Sequence, residues 1–189
     1  MLKDLVIRNR SCRRFSESEA VDRQTLLNLV DLARLSATGN NDQPLKYILS
    51  CQPERNALIF PHVRWARHLK DWAGPQPGER PAAYIVVLGD RQVKESFGCD
   101  HGIASQSILL GAAEAGLAGC MIGSVMRDEL RTALEIPARY DILLVLALGK
   151  PAETIVIEPL PPDGSTGYWR DEHGVHHVPK RPLADLIVG

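Results

Sequence analysis

The most informative stretch for chemistry lies near the N-terminus, where RNRSCRRF (residues 8–15) combines several guanidinium groups with a hydroxyl. Its cations are Arg8, Arg10, Arg13 and Arg14, and its hydroxyl belongs to Ser11. A guanidinium binds phosphate through two parallel hydrogen bonds, and a serine or backbone N–H adds a neutral donor. The stretch therefore indicates a site for a phosphate-bearing ligand. On composition alone, a solvated basic turn explains the same residues.

Two other pieces could share such a site. TGNNDQP (residues 38–44) offers amides and a glycine that could hydrogen-bond the edge of a planar polar ligand, although an ordinary turn has the same composition. Lys180 and Arg181 form a second basic pair near the C-terminus. Basic groups at both ends of one chain raise the hypothesis of a shared phosphate site.

Composition limits the classes of function. The 189 residues carry 22 Lys plus Arg against 23 Asp plus Glu, a net charge of −1, which argues against a general nucleic-acid-binding or membrane-surface protein. Sixteen of the cations are arginines. The four cysteines are scattered, and no apolar run is typical of a signal peptide or a membrane span, so we expect a cytoplasmic protein. The length predicts a single domain over residues 1–189.

Several common signatures are absent from the sequence. There is no Walker phosphate loop, no GxGxxG after a strand and no GxSxG, and no nucleophile–base pair assigns a catalytic side chain. His173, His176 and His177 fit no common zinc spacing, so we predict a polar, solvent-facing strand or turn and no metal. Asp100, before the longest helical pattern, is predicted to be a plain N-cap.

The hydrophobic pattern predicts alternating helices and strands, which is typical of a mixed α/β chain. Helices are predicted over residues 2–8, after Asp22, in two pieces over 53–69, and over 102–115 and 127–134. Strands are predicted over residues 45–50, 82–90, 118–125 and 142–149. Residues 151–189 are predicted to be an extended, Pro-rich tail without a core of its own, which wraps another surface such as a second subunit.

In their order along the chain, these pieces resemble the nitroreductase family of FMN-dependent NAD(P)H oxidoreductases. NRSCRRF resembles the family's R-R-S-x-R-x-F element, and TGNNDQPLKYIL resembles its S-x-x-N-x-Q-P-W loop and the strand that follows. CDHGIASQSILLGAAEAGLAGCMIGS is similar to its long helix, strand and flavin-contacting turn. GYWRDEHGVHHVPKRPLADLI resembles one branch of the family, whose terminal basic residue returns to the cofactor phosphate. The resemblance covers essentially the whole chain.

The resemblance implies an α+β, nitroreductase-like three-layer fold, with a mostly antiparallel central sheet flanked by helices. It also implies an intertwined homodimer, in which the C-terminal tail over residues 151–189 crosses to the partner. Each FMN site would then lie in the interface and be lined by both subunits.

The same resemblance assigns site residues. Arg10 and Ser11 would hold the FMN phosphate, joined by Arg181 and Lys180. Arg13 would lie near the flavin pyrimidine and stabilise negative charge around N1 and O2. The remaining contacts would come from Asn41 and Gln43 of the partner's loop, together with Thr38, and from Ile122 and Gly123 along the ring.

The activity implied is hydride transfer from NADH or NADPH through FMN to a small organic acceptor, such as a nitroaromatic or a quinone, with ping-pong kinetics. Three alternatives stay open: a flavin-binding carrier or sensor without turnover, a relative that performs reductive dehalogenation or flavin breakdown, and a phosphate-ligand protein without flavin. Two departures from the family pattern concern the site. Asn9 replaces the first arginine of the Arg-Arg pair, and Leu45 stands where many members have tryptophan. The segment after the 82–90 strand is short, so what covers the pocket does not follow from the family.

Overall fold

Five helices and seven strands make up the chain, and the computed structural model describes all residues from Met1 to Gly189. The helices are α1 (Leu2–Arg8), α2 (Arg23–Arg34), α3 (Pro53–Ile59), α4 (Asp100–Glu114) and α5 (Arg127–Ala133). The strands are β1 (Leu45–Ser50), β2 (Ala83–Asp90), β3 (Ala118–Ile122), β4 (Tyr140–Gly149), β5 (Ile155–Pro159), β6 (Trp169–Arg170) and β7 (His176–Lys180).

The main sheet has the strand order β1-β2-β4-β3, and every neighbouring pair in it is antiparallel. Its centre is β2, an uninterrupted apolar run in which all eight residues are buried. A strand that is covered on both faces needs apolar residues at every position rather than at alternate ones. The continuous hydrophobic pattern of residues 82–90 is typical of such a strand.

Helices cover both faces of the main sheet. On one face, Leu26 and Leu29 of α2 and Ile108 of α4 pack with Ile85 and Leu146 in one buried cluster. On the other, a second cluster joins the side chains around α3 and α5. The clusters alternate along each strand because successive side chains point to opposite faces. The result is a three-layer α+β fold with an antiparallel central sheet, as the resemblance to the nitroreductase family implied.

The N-termini of α2 and α4 test the two aspartates that precede or begin a helix. Asp22 is the N-cap of α2, where its carboxylate accepts a hydrogen bond from the Thr25 N–H at 2.6 Å. Asp100 is not an N-cap, so that prediction was wrong: it is the first residue of α4 and accepts a hydrogen bond from the Gly39 N–H at 2.9 Å. Its carboxylate fixes a distant loop to α4.

The predicted helical stretch over 53–69 is shorter in the structure. It ends at α3, and a single 3-10 turn, Phe60–His62, follows. None of the helices combines the length and the apolarity that crossing a membrane requires.

The C-terminal tail folds into a small sheet against its own chain. In the order β5-β7-β6, β5 pairs with β7 in parallel and β6 pairs with β7 antiparallel. The fully buried Glu153 side chain forms an ion pair with Arg170 of β6 at 2.8 Å and accepts a hydrogen bond from the backbone N–H of Arg13, outside the tail, at 2.5 Å. The tail is therefore anchored to the body of its own subunit up to Lys180. Residues 181–189 remain exposed, and the crossing of the tail to a partner stays a prediction.

Candidate functional site

A cavity of about 320 Å³ lies between the N-terminal stretch, α4, β3 and the tail sheet. It brings together three cationic side chains, Arg10, Arg13 and Lys180, and no Asp or Glu is among its lining residues. Like charges cost free energy when they converge, so a group of cations without an acidic partner favours an anionic ligand. The other lining residues are Asn9, Ser11, Gln106, Leu109, Gly119, Met121, Tyr168, His176 and Val178.

The N-terminal stretch reaches this cavity because it runs beside β3. Ser11 forms a parallel bridge with Gly119, and the Cys12 N–H donates to the Gly119 carbonyl at 3.0 Å. Only glycine fits at position 119, since a Cβ would stand 2.8 Å from the Ala147 carbonyl oxygen. The Cys12 side chain is buried in the core and fixes the stretch there. Arg10 and Arg13 therefore lie on either side of Ser11 at the cavity wall.

The Arg10 side chain keeps a buried donor without a partner. Its Nη2 donates to the Val6 carbonyl at 2.7 Å, which ties the side chain to the end of α1. Its Nε is buried and has no hydrogen-bond partner. Burial also lowers the pKa of this guanidinium, because the charged form loses hydration. A bound anion would supply the missing partner.

Arg13 is held over an aromatic ring. Its guanidinium carbon lies 4.8 Å from the centroid of the Tyr168 ring, and its Nη1 donates to the Ser11 carbonyl at 3.2 Å. The Tyr168 ring also stacks on His176 and contacts His68 edge-on, with centroids 5.2 and 4.9 Å apart. The backbone N–H of Arg13 donates to Glu153 at 2.5 Å. The tail therefore positions Arg13 through both its backbone and its side chain.

The three histidines of the tail have different environments, and the prediction that they face solvent holds only for His173. His176 is 1% exposed and lines the cavity, where burial lowers its pKa to about 4 and leaves it neutral at pH 7. Its Nδ1 has no partner. His177, on the other face of β7, lies between Glu158 at 2.9 Å and Asp171 at 3.2 Å, and these carboxylates raise its pKa.

The loop with the predicted amide contacts lies elsewhere on the same chain. Thr38 and Gln43 line a separate small cavity beside Tyr47, and Asn41 is exposed. Asn41 and Gln43 have φ angles of 58° and 51°, values that residues other than glycine adopt rarely and at a cost in free energy. Such strain clusters at functional sites, and here the Gly39–Asp100 hydrogen bond helps to hold it.

The remaining predicted residues lie in the cavity, in the core or on the surface. Lys180 lines the cavity, whereas Arg181 is exposed outside its lining. The Ile122 side chain is buried in the second core cluster, and Gly123 is exposed with open space around it. Met121, which points to the opposite face of β3, lines the cavity instead. The contacts predicted for Arg181, Ile122 and Gly123 stay predictions.

Sequence reasoning missed the part of the wall that the tail supplies, namely Tyr168, His176 and Val178. One signal was available, since residues 176, 178 and 180 share a face of any strand through VHHVPK. Once β7 is recognised as a strand, the prediction of Lys180 at the site also predicts His176 and Val178 beside it. For Gln106 and Leu109 of α4, no comparable signal exists.

The fold and the cavity define a three-layer α+β protein with a cationic ligand site at the edge of its sheet. A model of the nitroreductase family matches residues 7–150. The chain therefore belongs to the nitroreductase family.

Solved structures agree with this assignment at the level of the fold. A nitroreductase family protein from Streptococcus pneumoniae TIGR4 matches with a TM-score of 0.70 and 15% identity, over 100% of both chains. One from Clostridium difficile 630 matches with a TM-score of 0.68 and 18% identity, over 100% of this chain and 96% of that one. An FMN-dependent nitroreductase from Clostridium difficile R20291 matches with a TM-score of 0.63 and 19% identity, over 78% and 86%.

Proposed function

We propose that the protein is an FMN-dependent oxidoreductase that passes hydride from NADH or NADPH to a small organic acceptor, such as a nitroaromatic or a quinone, with ping-pong kinetics. The single observation that carries this proposal is the cavity in which Arg10, Arg13 and Lys180 converge with no Asp or Glu among the lining residues. The family supports it, as does the similarity in fold to a nitroreductase whose name describes it as FMN-dependent.

The residues of the cavity fit a phosphorylated flavin. Arg10 retains a buried Nε donor without a partner, and His176 retains a buried Nδ1. Arg10, Ser11 and Lys180 would hold the phosphate, with Arg181 as a further candidate, and Arg13 would lie at the pyrimidine end. When bound, FMN supplies the redox chemistry, accepting and returning a hydride equivalent. The side chains of this chain bind and orient it, and none of them needs to titrate during turnover.

Titration of the purified protein with FMN tests this proposal. We expect a yellow protein, or a colourless one that takes up one FMN per chain, and oxidation of NADH or NADPH that depends on an added quinone or nitroaromatic. Binding of FMN without turnover would support the carrier or sensor instead. A colourless protein that ignores FMN would overturn the proposal and favour a phosphate-ligand protein without flavin. Turnover only with a halogenated substrate, or consumption of the flavin itself, would indicate one of the relatives with other chemistry.

We also propose that the active form is a single-domain homodimer in which the strained loop of each subunit completes the partner's site. Exposed apolar side chains lie on α1, α2 and α4, among them Val6, Leu27 and Ile103. Residues 102–113 of α4 include no charged residue, although part of this helix is open to solvent. The exposed Leu183 and Ile187 at the C-terminus could extend this contact to the partner. The cytoplasmic location stays a prediction.

Charge placed in this apolar face should separate the subunits. We expect Ile103→Glu and Leu27→Glu each to weaken dimerisation at least ~10-fold, because a carboxylate buried without a partner is costly. Sedimentation velocity over a range of concentrations measures the effect. Leu58→Glu is the control, since Leu58 is as exposed as Leu27 but lies on α3, on the other side of the sheet. A wild-type protein that is still monomeric at about 50–100 µM would contradict the dimer, because a dissociation constant in that range corresponds to an association free energy of only ~6 kcal/mol.

A further inference from the structure

A second cavity, of about 250 Å³, lies on the opposite face of the main sheet and shares no lining residue with the cationic cavity. It is formed where β1 ends and β2 begins, between Cys51, α3 and the segment that precedes β2. Part of its wall is apolar, with Ala57, Phe60 and Pro81 as members. Nothing in the proposed flavin site uses this cavity.

Two buried donors on this cavity have no hydrogen-bond partner. Tyr84 is 1% exposed, and its hydroxyl makes no hydrogen bond. The Nε of Arg80 is also buried and unpaired. Buried polar groups in proteins are satisfied with few exceptions. Since burial raises the pKa of the Tyr84 phenol, the hydroxyl keeps its proton and can donate.

Both polar atoms of Asn56, another residue of the lining, are already hydrogen-bonded. The Asn56 amide donates to the Ala82 carbonyl at 2.8 Å, and its oxygen accepts from the Ser50 hydroxyl at 2.7 Å. Glu17 accepts from the backbone N–H of Gly78 at 2.5 Å and that of Arg80 at 3.4 Å. The Oε1 of the exposed Glu17 carboxylate stays free, whereas the buried groups without a partner, the Tyr84 hydroxyl and the Arg80 Nε, are both donors. A ligand that satisfies these two buried groups must present an acceptor.

Arg80 also gives this pair of donors a positive charge. Its guanidinium carbon lies 4.3 Å from the centroid of the Phe60 ring, which holds the side chain in place, and it forms no ion pair. The cation is thus available to an anion from outside. Glu17 also lines the cavity. One of its carboxylate oxygens accepts hydrogen bonds from two backbone N–H groups, which partly offset its negative charge.

We propose that this cavity is a binding site for a small monocarboxylate with a single ring as its body. The carboxylate would accept hydrogen bonds from the Tyr84 hydroxyl and the Arg80 guanidinium, and the ring would lie against Ala57, Phe60 and Pro81. A volume of about 250 Å³ is below that of most cavities for larger ligands, which suits one ring and not two.

Cys51 gives a readout that is specific to this cavity. Its thiol is free, partly buried and lies in the cavity wall, whereas Cys12 and Cys120 are buried and Cys99 is exposed on the other side of β2 near α4. A bound ligand should slow the alkylation of Cys51 by iodoacetamide without slowing that of Cys99. Mass spectrometry of the separate peptides measures both rates in one experiment, in the FMN-saturated protein and in the protein as purified.

The probe is phenylacetate, and phenylacetamide is its neutral counterpart. We expect phenylacetate to protect Cys51, and phenylacetamide to do so at least ~10-fold more weakly, because hydrogen bonds to a charged acceptor are the stronger ones. Tyr84→Phe should weaken phenylacetate binding ~10-fold while leaving the fold intact, since it removes only an unpaired hydroxyl. Arg80→Gln should abolish the preference for the carboxylate.

Tyr47→Phe is the matched control, because Tyr47 lies on β1 but outside this cavity, and it should leave protection unchanged. Protection should also persist in Arg13→Ala, which changes only the cationic cavity. Equal protection by wild type and Tyr84→Phe would mean that water satisfies the hydroxyl, and would overturn the proposal. Binding of phenylacetate without protection of Cys51 would place it elsewhere, and would overturn it as well.

Discussion

Replacing Glu153 by alanine is expected to lower the free energy of unfolding by about 3–5 kcal/mol, as removal of one partner from a buried ion pair does. The Glu153 side chain is fully buried. One carboxylate oxygen accepts from the Arg13 N–H at 2.5 Å, and the other pairs with Arg170 at 2.8 Å. Arg170 is itself only 15% exposed and lies 4.5 Å from the Trp72 ring centroid. Alanine would leave two donors without a partner and open a void beside Cys12.

Urea denaturation followed by circular dichroism measures this loss. Glu153→Gln keeps the shape and one acceptor oxygen, so its loss should be smaller than that of alanine, although it removes the charge that Arg170 requires. Glu172→Ala is the control, because Glu172 lies in the same tail with its side chain 88% exposed, and surface changes usually matter little. An alanine variant at position 153 that unfolds at the wild-type urea concentration would show that the tail is not anchored through Glu153.

The same variant should lose FMN, because Glu153 connects the tail to Arg13. The carboxylate fixes the backbone of Arg13, and through Arg170 it holds β6, which carries the chain on from Tyr168. Loss of the pair therefore releases two walls of the cationic cavity together. FMN affinity measured at a temperature where the variant is still folded separates this effect from global unfolding.

The elements of the main sheet could be predicted because their signals are local. The apolar runs of β2 and β4 are long, and Asp22 precedes α2 at the position that a cap requires. The predicted bounds of β1 are those of the structure, residues 45–50. In each case, the residues that determine the element lie within it or directly before it.

The tail sheet could not be predicted in the same way, because its pairings join distant residues. The parallel contact of Ile155 with His176 closes a loop through a proline-rich segment whose local pattern is extended. The N-cap prediction for Asp100 was wrong for the same reason. An aspartate before a helix usually caps it, but this carboxylate accepts a hydrogen bond from the Gly39 N–H of a distant loop. Hydrogen bonds between distant residues produce no regular spacing in the sequence from which they could be predicted.

Four of the twelve residues that line the cationic cavity were predicted, and register explains one of the others. Arg10, Ser11, Arg13 and Lys180 were predicted from residue type and from the family, and the structure brings all four to one cavity. On β3 the side chain at the cavity is that of Met121, one residue before Ile122, and a shift of one residue reverses the face of a strand. Thr38, Asn41 and Gln43 lie away from this cavity on the same chain, and their contact through a partner subunit stays a prediction.

Replacing Arg13 by alanine is expected to weaken FMN binding by ~10–100-fold and to lower the midpoint potential of the bound flavin. A hydrogen bond to a charged group contributes about 1.5–3 kcal/mol, which corresponds to this range of affinity. Arg13 is fixed before any ligand arrives, by the Tyr168 ring under its guanidinium and by the Ser11 carbonyl. A fixed cation near the flavin pyrimidine would stabilise the negative charge that reduction places around N1 and O2. Fluorescence titration with FMN and spectroscopic redox titration measure the two effects.

Two controls separate the role of Arg13 in binding from a structural one. The backbone N–H of residue 13 is kept in every variant, so the hydrogen bond to Glu153 survives and the fold should persist. Arg13→Lys keeps the charge without the planar pair of donors, and should recover more of the potential than of the affinity. Arg55→Ala removes an exposed arginine on α3, away from the cavity, and should change neither. An Arg13→Ala protein with wild-type FMN content and potential would contradict the role of Arg13. It would show that Arg10 and Lys180 suffice to bind FMN, and that the cations of this cavity serve the phosphate alone.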